Sequence, residues 1–200
     1  SEAARVTRVT VVSPEPTPYR APLFDRIAAR DDIDLTVIYA ARTVVGRTWS
    51  FAVFEAFGDD HAVILSIGNG GDSRVYVTDD AGQHWTQTFT NDDPNAFYDC
   101  MTFFDRKRGL ALSDPVGGKF RIIATNDGGR SWSVANGQMP PAIDGEFAFA
   151  ASGQCLVSDH GKRAWFATGG GAQARVFRSD DRGRSWEVSA TPIRSGPSAG

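Results

Sequence analysis

One eight-residue pattern occurs three times in this chain of 200 residues, and it constrains the fold more than any other feature. Each copy has Ser or Thr, one variable residue, Asp, a variable residue, Gly, two variable residues and Trp, at residues 78–85, 125–132 and 179–186. The three tryptophans are 47 and 54 residues apart, which is close to the length of a four-stranded propeller blade. The pattern therefore predicts repeated β units.

The motif has a local physical reason. Its aspartate can accept hydrogen bonds from backbone N–H groups of the turn, and its glycine adopts a positive φ without steric cost. Its tryptophan is expected to pack the turn onto the sheet. These side chains are used within the turn itself, so the prediction is structural rather than catalytic or calcium-binding. The residues assigned to this role are Asp80, Gly82, Trp85, Asp127, Gly129, Trp132, Asp181, Gly183 and Trp186.

Short apolar runs from residue 51 onward alternate with turns rich in Gly, Asp and Asn, and they predict about four strands in each repeat. The third repeat has one run too many, so residues 147–158 are interpreted as one bent or hairpin-like element. The predicted strands are 51–57, 62–67, 74–78 and 85–89; then 98–104, 109–113, 120–125 and 132–135; then 147–151, 154–158, 164–168, 175–179 and 186–189.

Residues 51–200 resemble the BNR/Asp-box superfamily, which includes sialidases, sortilin-type receptors and propellers similar to a photosystem II assembly factor. Besides the three motifs, the resemblance is carried by residues 67–70, 91–94, 96–100, 109–115 and 145–153. It implies a mostly β chain with a partial β-propeller of about three four-stranded blades with Asp-box turns. Complete propellers of this kind have more than three blades, so a truncated or fused chain is expected. Two open blade edges predict self-association.

The first fifty residues predict a separate β-α-β segment, with strands at 9–12 and 35–39 and a helix at 21–30. Residues 11–20 and 22–24 resemble the start of a family-4-like glycosyltransferase of the GT-B architecture. That resemblance implies a role for Tyr19 and Arg20 on the acceptor side. The predicted domains are thus 1–50 and 51–200. Residues 46–49 are similar to the end of an Asp box. This similarity suggests either that a glycosyltransferase-like segment is fused to a propeller fragment at this point, or that a divergent natural N-terminus completes a blade.

Strand connections of a propeller alternate between two ends. If the Asp boxes join third and fourth strands, the glycine-rich loops 68–73, 113–119 and 168–173 lie at the opposite end with the links between blades. The polar side chains of these loops have two open interpretations. They form a polar ligand site, or they are carboxylates that stabilise turns and are solvated. The candidate ligand-face residues are Asn69, Asp72, Tyr98, Asp99, Asp114, Lys119, Arg121 and Glu146.

Three functional hypotheses follow. The first is a non-catalytic propeller segment that binds a protein or glycan through its loops. The second is a truncated sialidase-like glycoside hydrolase, for which Tyr98 and Glu146 are present but a matching arginine triplet is not. The third is a glycosyltransferase fragment without its donor domain. No cofactor and no metal site are predicted, since His61, His84 and His160 are expected on turns of different repeats.

Charge and composition exclude other classes. The net charge of -3, with scattered Lys and Arg, does not favour nucleic-acid binding. The sequence has no run of eighteen apolar residues, so no membrane span is predicted. The location is expected to be extracytoplasmic if a leader was removed and cytoplasmic otherwise. Two cysteines, Cys100 and Cys155, are too few for a disulfide framework, and buried free thiols are expected rather than a bridge.

Overall fold

The computed structural model describes residues 7–13, 33–39, 43–44, 47–48, 50–135, 137–148 and 155–196. The described chain is mostly β, with three four-stranded antiparallel sheets and almost no helix, which confirms the predicted fold class of a partial propeller. Among the described residues, no helix has the length and hydrophobicity that crossing a membrane requires.

Each sheet is a consecutive meander, called here blades 1, 2 and 3. Blade 1 has β5 (Ser50–Phe57), β6 (His61–Ile67), β7 (Arg74–Thr78) and β8 (Thr86–Thr90). Blade 2 has β9 (Tyr98–Phe103), β10 (Gly109–Val116), β11 (Lys119–Thr125) and β12 (Ser133–Val134). Blade 3 has β13 (Leu156–Ser158), β14 (Ala164–Thr168), β15 (Arg175–Ser179) and β16 (Glu187–Ala190).

The N-terminal part has four strands in two small sheets: β1 (Thr7–Ser13), β2 (Ile33–Tyr39), β3 (Thr43–Val44) and β4 (Arg47–Thr48). β1 and β2 pair in parallel, as a β-α-β unit requires. The predicted helix at 21–30, with Tyr19 and Arg20 before it, lies outside the described residues. The division into domains at residue 50 stays a prediction.

Burial within blade 2 decreases from the first strand to the last. Every residue of β9 is buried, β11 alternates between buried and more exposed positions, and both residues of β12 are exposed. A strand covered on both faces has a continuous apolar run, whereas an outer strand needs none. The first strand of blade 2 is therefore part of the core, and its last strand lies at the outer surface.

The three Asp-box turns have the same hydrogen bonds. In the second, Thr125 Oγ1 donates to Asp127 Oδ1 over 2.8 Å and accepts from the Gly129 N–H over 2.9 Å. Asp127 Oδ1 also accepts from the Ser131 N–H over 2.9 Å. The first and third turns repeat these contacts, with distances of 2.8 to 2.9 Å. Each turn joins the third and fourth strands of its blade.

The second and third boxes also pack against the blade before them. A side-chain carbon at Gly129 would lie 3.0 Å from Val63 of blade 1, and one at Gly183 would lie 2.7 Å from Leu110 of blade 2. Gly129 and Gly183 have φ values of +84° and +80°, so both conformation and close packing require glycine. The repeated motif is therefore an inter-blade contact as well as a turn.

Three expectations about blade boundaries are corrected. Residues 113–119 are mostly strand, because Gly117 and Gly118 at φ +63° and +78° make a two-residue hairpin turn between β10 and β11. The first strand of blade 3 is shorter than predicted, since Phe147 forms an isolated bridge with Gly169 instead. Residues 149–154 lie outside the described residues. His61 begins β6 and is buried, so it does not lie on a turn.

The expectation of two free thiols is also wrong. Cys100 of β9 and Cys155, next to β13, form a disulfide that joins the first strands of blades 2 and 3, with Cα atoms 5.9 Å apart. The two residues are 55 apart in sequence. Strand-like apolar runs predicted burial but not pairing, because pairing depends on how two blades stack.

Replacing both Cys100 and Cys155 with Ala is expected to lower the free energy of unfolding by about 2–4 kcal/mol, because the bridge restricts the unfolded chain. Urea unfolding of the wild-type chain with and without reductant measures the same quantity. The double variant is the control, since its midpoint should not respond to reductant. An equal midpoint for oxidised and reduced wild-type chain would contradict the bridge.

Candidate functional site

The glycine-rich loops of blades 1 and 2 meet at the link between these blades. Asn69 forms a β-bridge with Phe97, whose N–H donates to Ser113 Oγ over 2.9 Å. The N–H of Tyr98 donates to Ser73 Oγ over 3.1 Å. The second-to-third strand connections of both blades thus lie side by side, at the end opposite the Asp boxes.

The next link continues this surface to blade 3. The N–H of Ala142 donates to the Gly118 carbonyl over 2.9 Å, and the N–H of Ala148 donates to Asp114 Oδ1 over 2.8 Å. Phe147 in the same link bridges to Gly169 in the loop of blade 3. We call this end of the three blades, made by residues 68–73, 91–98, 113–119, 139–148 and 168–174, the loop face.

Asn91 organises the first link, although the sequence analysis assigned it no role. Its Nδ2 donates to the carbonyls of Gly70, Asp93 and Ala96 over 3.1, 2.9 and 2.9 Å, and the residue is buried. Its Oδ1 accepts from the Asp93 N–H over 3.1 Å. Asparagine between polar neighbours is typical of any turn, so only the tertiary contacts reveal that it joins the link to the loop of blade 1.

Glu146 is not available to a ligand. Its side chain is fully buried and is held by Arg175, whose Nε donates to Oε1 over 2.8 Å and whose Nη2 donates to Oε2. Thr168 Oγ1 donates to Oε1 over 2.5 Å and the Ile143 N–H donates to Oε2 over 3.0 Å. Burial acts to raise the pKa of Glu146, but the hydrogen bonds from Arg175 and Thr168 outweigh it and the pKa is lowered.

Tyr98 is buried as well. Its ring packs edge-on against Phe89, with centroids 5.5 Å apart. Burial, with Asp92 and Asp93 nearby, outweighs the opposing influence of Arg121 and raises the pKa of Tyr98 to about 12. A tyrosine nucleophile needs its hydroxyl activated, and this environment has the opposite effect.

Asp99 and Asp114 form a carboxyl pair beneath the loop face. Asp99 is 2% exposed, and its side chain is hydrogen-bonded to that of Asp114. Burial first, and then the negative charge of Asp114, raises the pKa of Asp99 to about 8. The pKa of Asp114 is also raised by burial, against the Ala148 N–H and the hydrogen bond with Asp99, which lower it. One proton shared by the pair is the physical consequence.

The pair makes stability depend on pH. Because the pKa of Asp99 is raised on folding, its contribution is fully present below the ordinary value of 3.8 and is lost as the pH rises through about 8. Asp99→Asn is expected to flatten this decline and to raise the free energy of unfolding at pH 8 by on the order of 2 kcal/mol. Chemical unfolding of both chains from pH 4 to 9 measures the change. Parallel curves would contradict the shared proton.

The remaining candidates lie at the surface. Asn69 and Lys119 are exposed, and Asp72, Asp114 and Arg121 are partly buried. Arg121 Nη1 is 2.8 Å from Asp93 Oδ2, so its charge is directed to the link between blades 1 and 2. Burial thus separates the eight sequence-predicted residues. Tyr98, Asp99 and Glu146 are structural, and Asp114 is partly exposed but bonded to Asp99 and to the Ala148 N–H. The accessible group comprises Asn69, Asp72, Lys119 and Arg121.

The described residues contain no group of three or more His, Cys, Asp or Glu side chains placed to hold a metal ion. The histidines are apart: His61 Nδ1 is 2.7 Å from Asp79 Oδ1, and His84 Nδ1 is 2.6 Å from Asp80 Oδ2 in the first Asp box. His160 lies in the turn before β14.

No protein-family model matches this chain, and no curated protein matches it significantly. Among solved structures, YCF48 bound to D1 peptide is 18% identical with a TM-score of 0.47, over 74% of this chain and 42% of that one. A protein of unknown function from Dyadobacter fermentans is 15% identical with a TM-score of 0.50, over 71% of this chain and 50% of that one.

The chain therefore spans half or less of the length of these two proteins. The comparisons do not support the glycosyltransferase resemblance of residues 1–50. The likeness to the Dyadobacter protein concerns the fold alone, and it agrees with the three antiparallel sheets. The chain has a β-propeller-like fold.

Proposed function

We propose that this chain is a non-catalytic binding module, which binds a protein partner through the loop face. The observation that carries the proposal is the burial of the groups best suited to acid–base or nucleophilic chemistry. Glu146, Tyr98 and Asp99 are each less than 6% exposed, and each is engaged with other side chains of the protein: Glu146 with Arg175, Tyr98 with Phe89 and Asp99 with Asp114. What remains accessible is a set of polar loops on a rigid scaffold, which is typical of a binding surface.

The accessible loops suit a polypeptide ligand. Asp92, Pro94 and Asn95 of the first link are exposed, as are the hairpin tip at Gly117 and Gly118 and the neighbouring Lys119. Both charge signs and several backbone groups are therefore offered along one surface. A partner with its own amide groups and mixed charges can satisfy them.

A counter-selected peptide library tests this proposal. Peptides are selected on the wild-type chain and depleted on an Asp92→Lys, Lys119→Glu variant, and their affinities are measured by fluorescence anisotropy. Peptides that bind the wild-type chain at least about tenfold more tightly than the loop-face variant are expected. Lys107→Glu is the matched control, since Lys107 is an exposed cation in a turn at the opposite end of blade 2. Failure to enrich such peptides, or enrichment of glycans but not peptides in a parallel array, would contradict a protein partner.

The sialidase-like alternative is disfavoured by the same geometry. It needs a tyrosine that a carboxylate activates, whereas Glu146 is bound to Arg175 and the pKa of Tyr98 is raised. Turnover of fluorogenic glycosides, abolished in a folded Glu146→Gln chain, would restore the hydrolase hypothesis. The glycosyltransferase hypothesis for residues 1–50 stays a prediction, and binding of a nucleotide-sugar would support it.

The disulfide bears on location. Such bridges persist mainly in oxidising compartments. Because Cys100 and Cys155 are joined, we infer an extracytoplasmic rather than a cytoplasmic location. Free thiols in protein purified from its natural source under alkylating conditions would argue against that location.

A further inference from the structure

A basic groove lies at the Asp-box end of blade 3, opposite the loop face. Two turns form it, residues 159–163 between β13 and β14 and the Asp-box residues after β15, and its volume is about 630 Å³. The groove is open to solvent and lined by charged side chains, so it suits a ligand bound at the surface rather than an enclosed small molecule. Its charged side chains are Lys162, Arg163, Arg178 and Arg182, with Asp159 and Asp180. The groove thus has two positive charges in excess, on a chain whose net charge is -3.

Two of the four cations are already engaged with carboxylates. Arg163 Nε donates to Asp159 Oδ2 over 2.7 Å, and Arg178 Nη2 donates to Asp180 Oδ1 over 2.8 Å. Within the part of the chain that the structure describes, Lys162 and Arg182 have no carboxylate partner. These two residues therefore supply the excess charge.

Arg182 is held in place before any ligand arrives. Its backbone N–H donates to the Lys162 carbonyl over 2.8 Å, and its Nε donates to the Gly161 carbonyl over 3.1 Å. Both contacts join the Asp box to the neighbouring turn. The guanidinium is fixed at the rim of the groove, which lowers the entropy cost of binding an anion there.

The backbone at Arg182 adds an independent argument. The residue before the box glycine has a positive φ in all three boxes: +58° at Ala81, +77° at Gly128 and +62° at Arg182. Glycine adopts this conformation most easily, and the second box has glycine there. Turn formation does not require arginine at this position, since alanine and glycine occupy it in the other boxes. Apart from the contact of its Nε with the Gly161 carbonyl, the guanidinium is therefore available to a ligand.

We propose that this groove binds an acidic segment of a partner polypeptide. Glutamate or aspartate side chains would pair with Lys162 and Arg182, while peptide N–H groups would donate to Asp159 and Asp180. A densely charged polysaccharide or nucleic acid has an anionic group at almost every unit, and the two groove carboxylates would repel it. A peptide with spaced carboxylates fits the alternating charges.

Fluorescence anisotropy with the full chain tests the proposal. The probe is a labelled twelve-residue peptide of alternating Glu and Ser, and its counterpart with Gln in place of Glu is the control ligand. The Glu peptide is expected to bind more tightly than the Gln peptide, with an affinity that falls as salt is added. Lys162→Ala and Arg182→Gly are each expected to weaken binding about threefold, and the double variant about tenfold.

Two controls separate binding from folding. Arg182→Gly copies the glycine of the second box: it relieves the positive φ but removes the exposed hydrogen bond from Arg182 Nε to the Gly161 carbonyl, so its melting temperature is expected to stay close to that of the wild-type chain. Lys107→Ala removes a cation from the corresponding turn of blade 2, and it is expected to leave the affinity unchanged. Equal binding of the Gln peptide, unchanged affinity in Arg182→Gly, or tighter binding of a sulfated oligosaccharide than of the Glu peptide would each overturn the proposal.

Discussion

Replacing Glu146 with Gln is expected to lower the free energy of unfolding by about 3–5 kcal/mol, because it leaves the Arg175 guanidinium largely buried without a counter-charge. The side chain of Arg175 is 11% exposed and that of Glu146 is 0% exposed, so water cannot replace the lost partner. Urea unfolding at neutral pH measures the change. Asp60→Asn is the matched control, because the pair of Asp60 with Arg106 is exposed at both ends and its loss should hardly move the midpoint.

The pH dependence distinguishes electrostatics from packing. The pKa of Glu146 is lowered on folding, so its contribution is present above the ordinary value of 4.5 and is lost as the pH falls through the folded value. The difference between wild-type chain and Glu146→Gln should therefore shrink in acid. If the difference in the free energy of unfolding between the two chains stayed constant from pH 3 to 7, the salt bridge would contribute little to stability. A stable variant that had lost an enzymatic activity would point instead to catalysis.

Trp186→Ala is expected to lower the free energy of unfolding by about 3–5 kcal/mol. The ring of Trp186 is buried against Phe166, with centroids 5.0 Å apart, and its Nε1 donates to the Gly183 carbonyl over 3.1 Å. Its removal leaves a cavity in the core between blades 2 and 3. Thermal and urea unfolding of the variant measure the effect.

Trp132→Ala is the informative comparison for that result. Trp132 makes the equivalent hydrogen bond to the Gly129 carbonyl over 2.9 Å, but its ring is only partly buried and meets Phe103 at 6.0 Å. Its loss should therefore cost less than that of Trp186. Val134→Ala, at an exposed position of β12, should cost about 0.5 kcal/mol or less. An equal decrease in the free energy of unfolding for Trp132→Ala and Trp186→Ala would mean that the two tryptophans do not differ in burial.

The repeated motif is a feature that could be predicted from neighbouring residues in the sequence. Asp127, Gly129 and Trp132 lie within one six-residue segment, and the hydrogen bonds of their turn join side chains and backbone groups only a few positions apart. The strands β7, β14 and β15 were predicted with their observed bounds because they lie between short polar turns. The hairpin at Gly117 and Gly118 was predicted as a longer loop, since Asp114 and Pro115 do not look like strand residues.

The candidate site was harder to predict, because the identity of a polar residue does not tell whether its partner is water or another blade. Glu146 and Arg175 are 29 residues apart, and nothing in either neighbourhood indicates their pairing. Asp99 and Asp114 were both predicted to lie on the ligand face, and the structure shows that Asp99 is buried. The groove at Lys162 and Arg182 was missed, because its two turns approach each other only when β13 to β16 pair.

The class of fold, the order of the strands and the three turns could be predicted from the sequence, because they depend on short-range periodicity and on residues a few positions apart. The burial of particular carboxylates, the disulfide between Cys100 and Cys155 and the position of the excess positive charge became visible only in the three-dimensional structure. The physical reason is that burial, ion pairing and disulfide formation depend on distances between blades. Those distances follow from how whole sheets stack, and no local pattern encodes them.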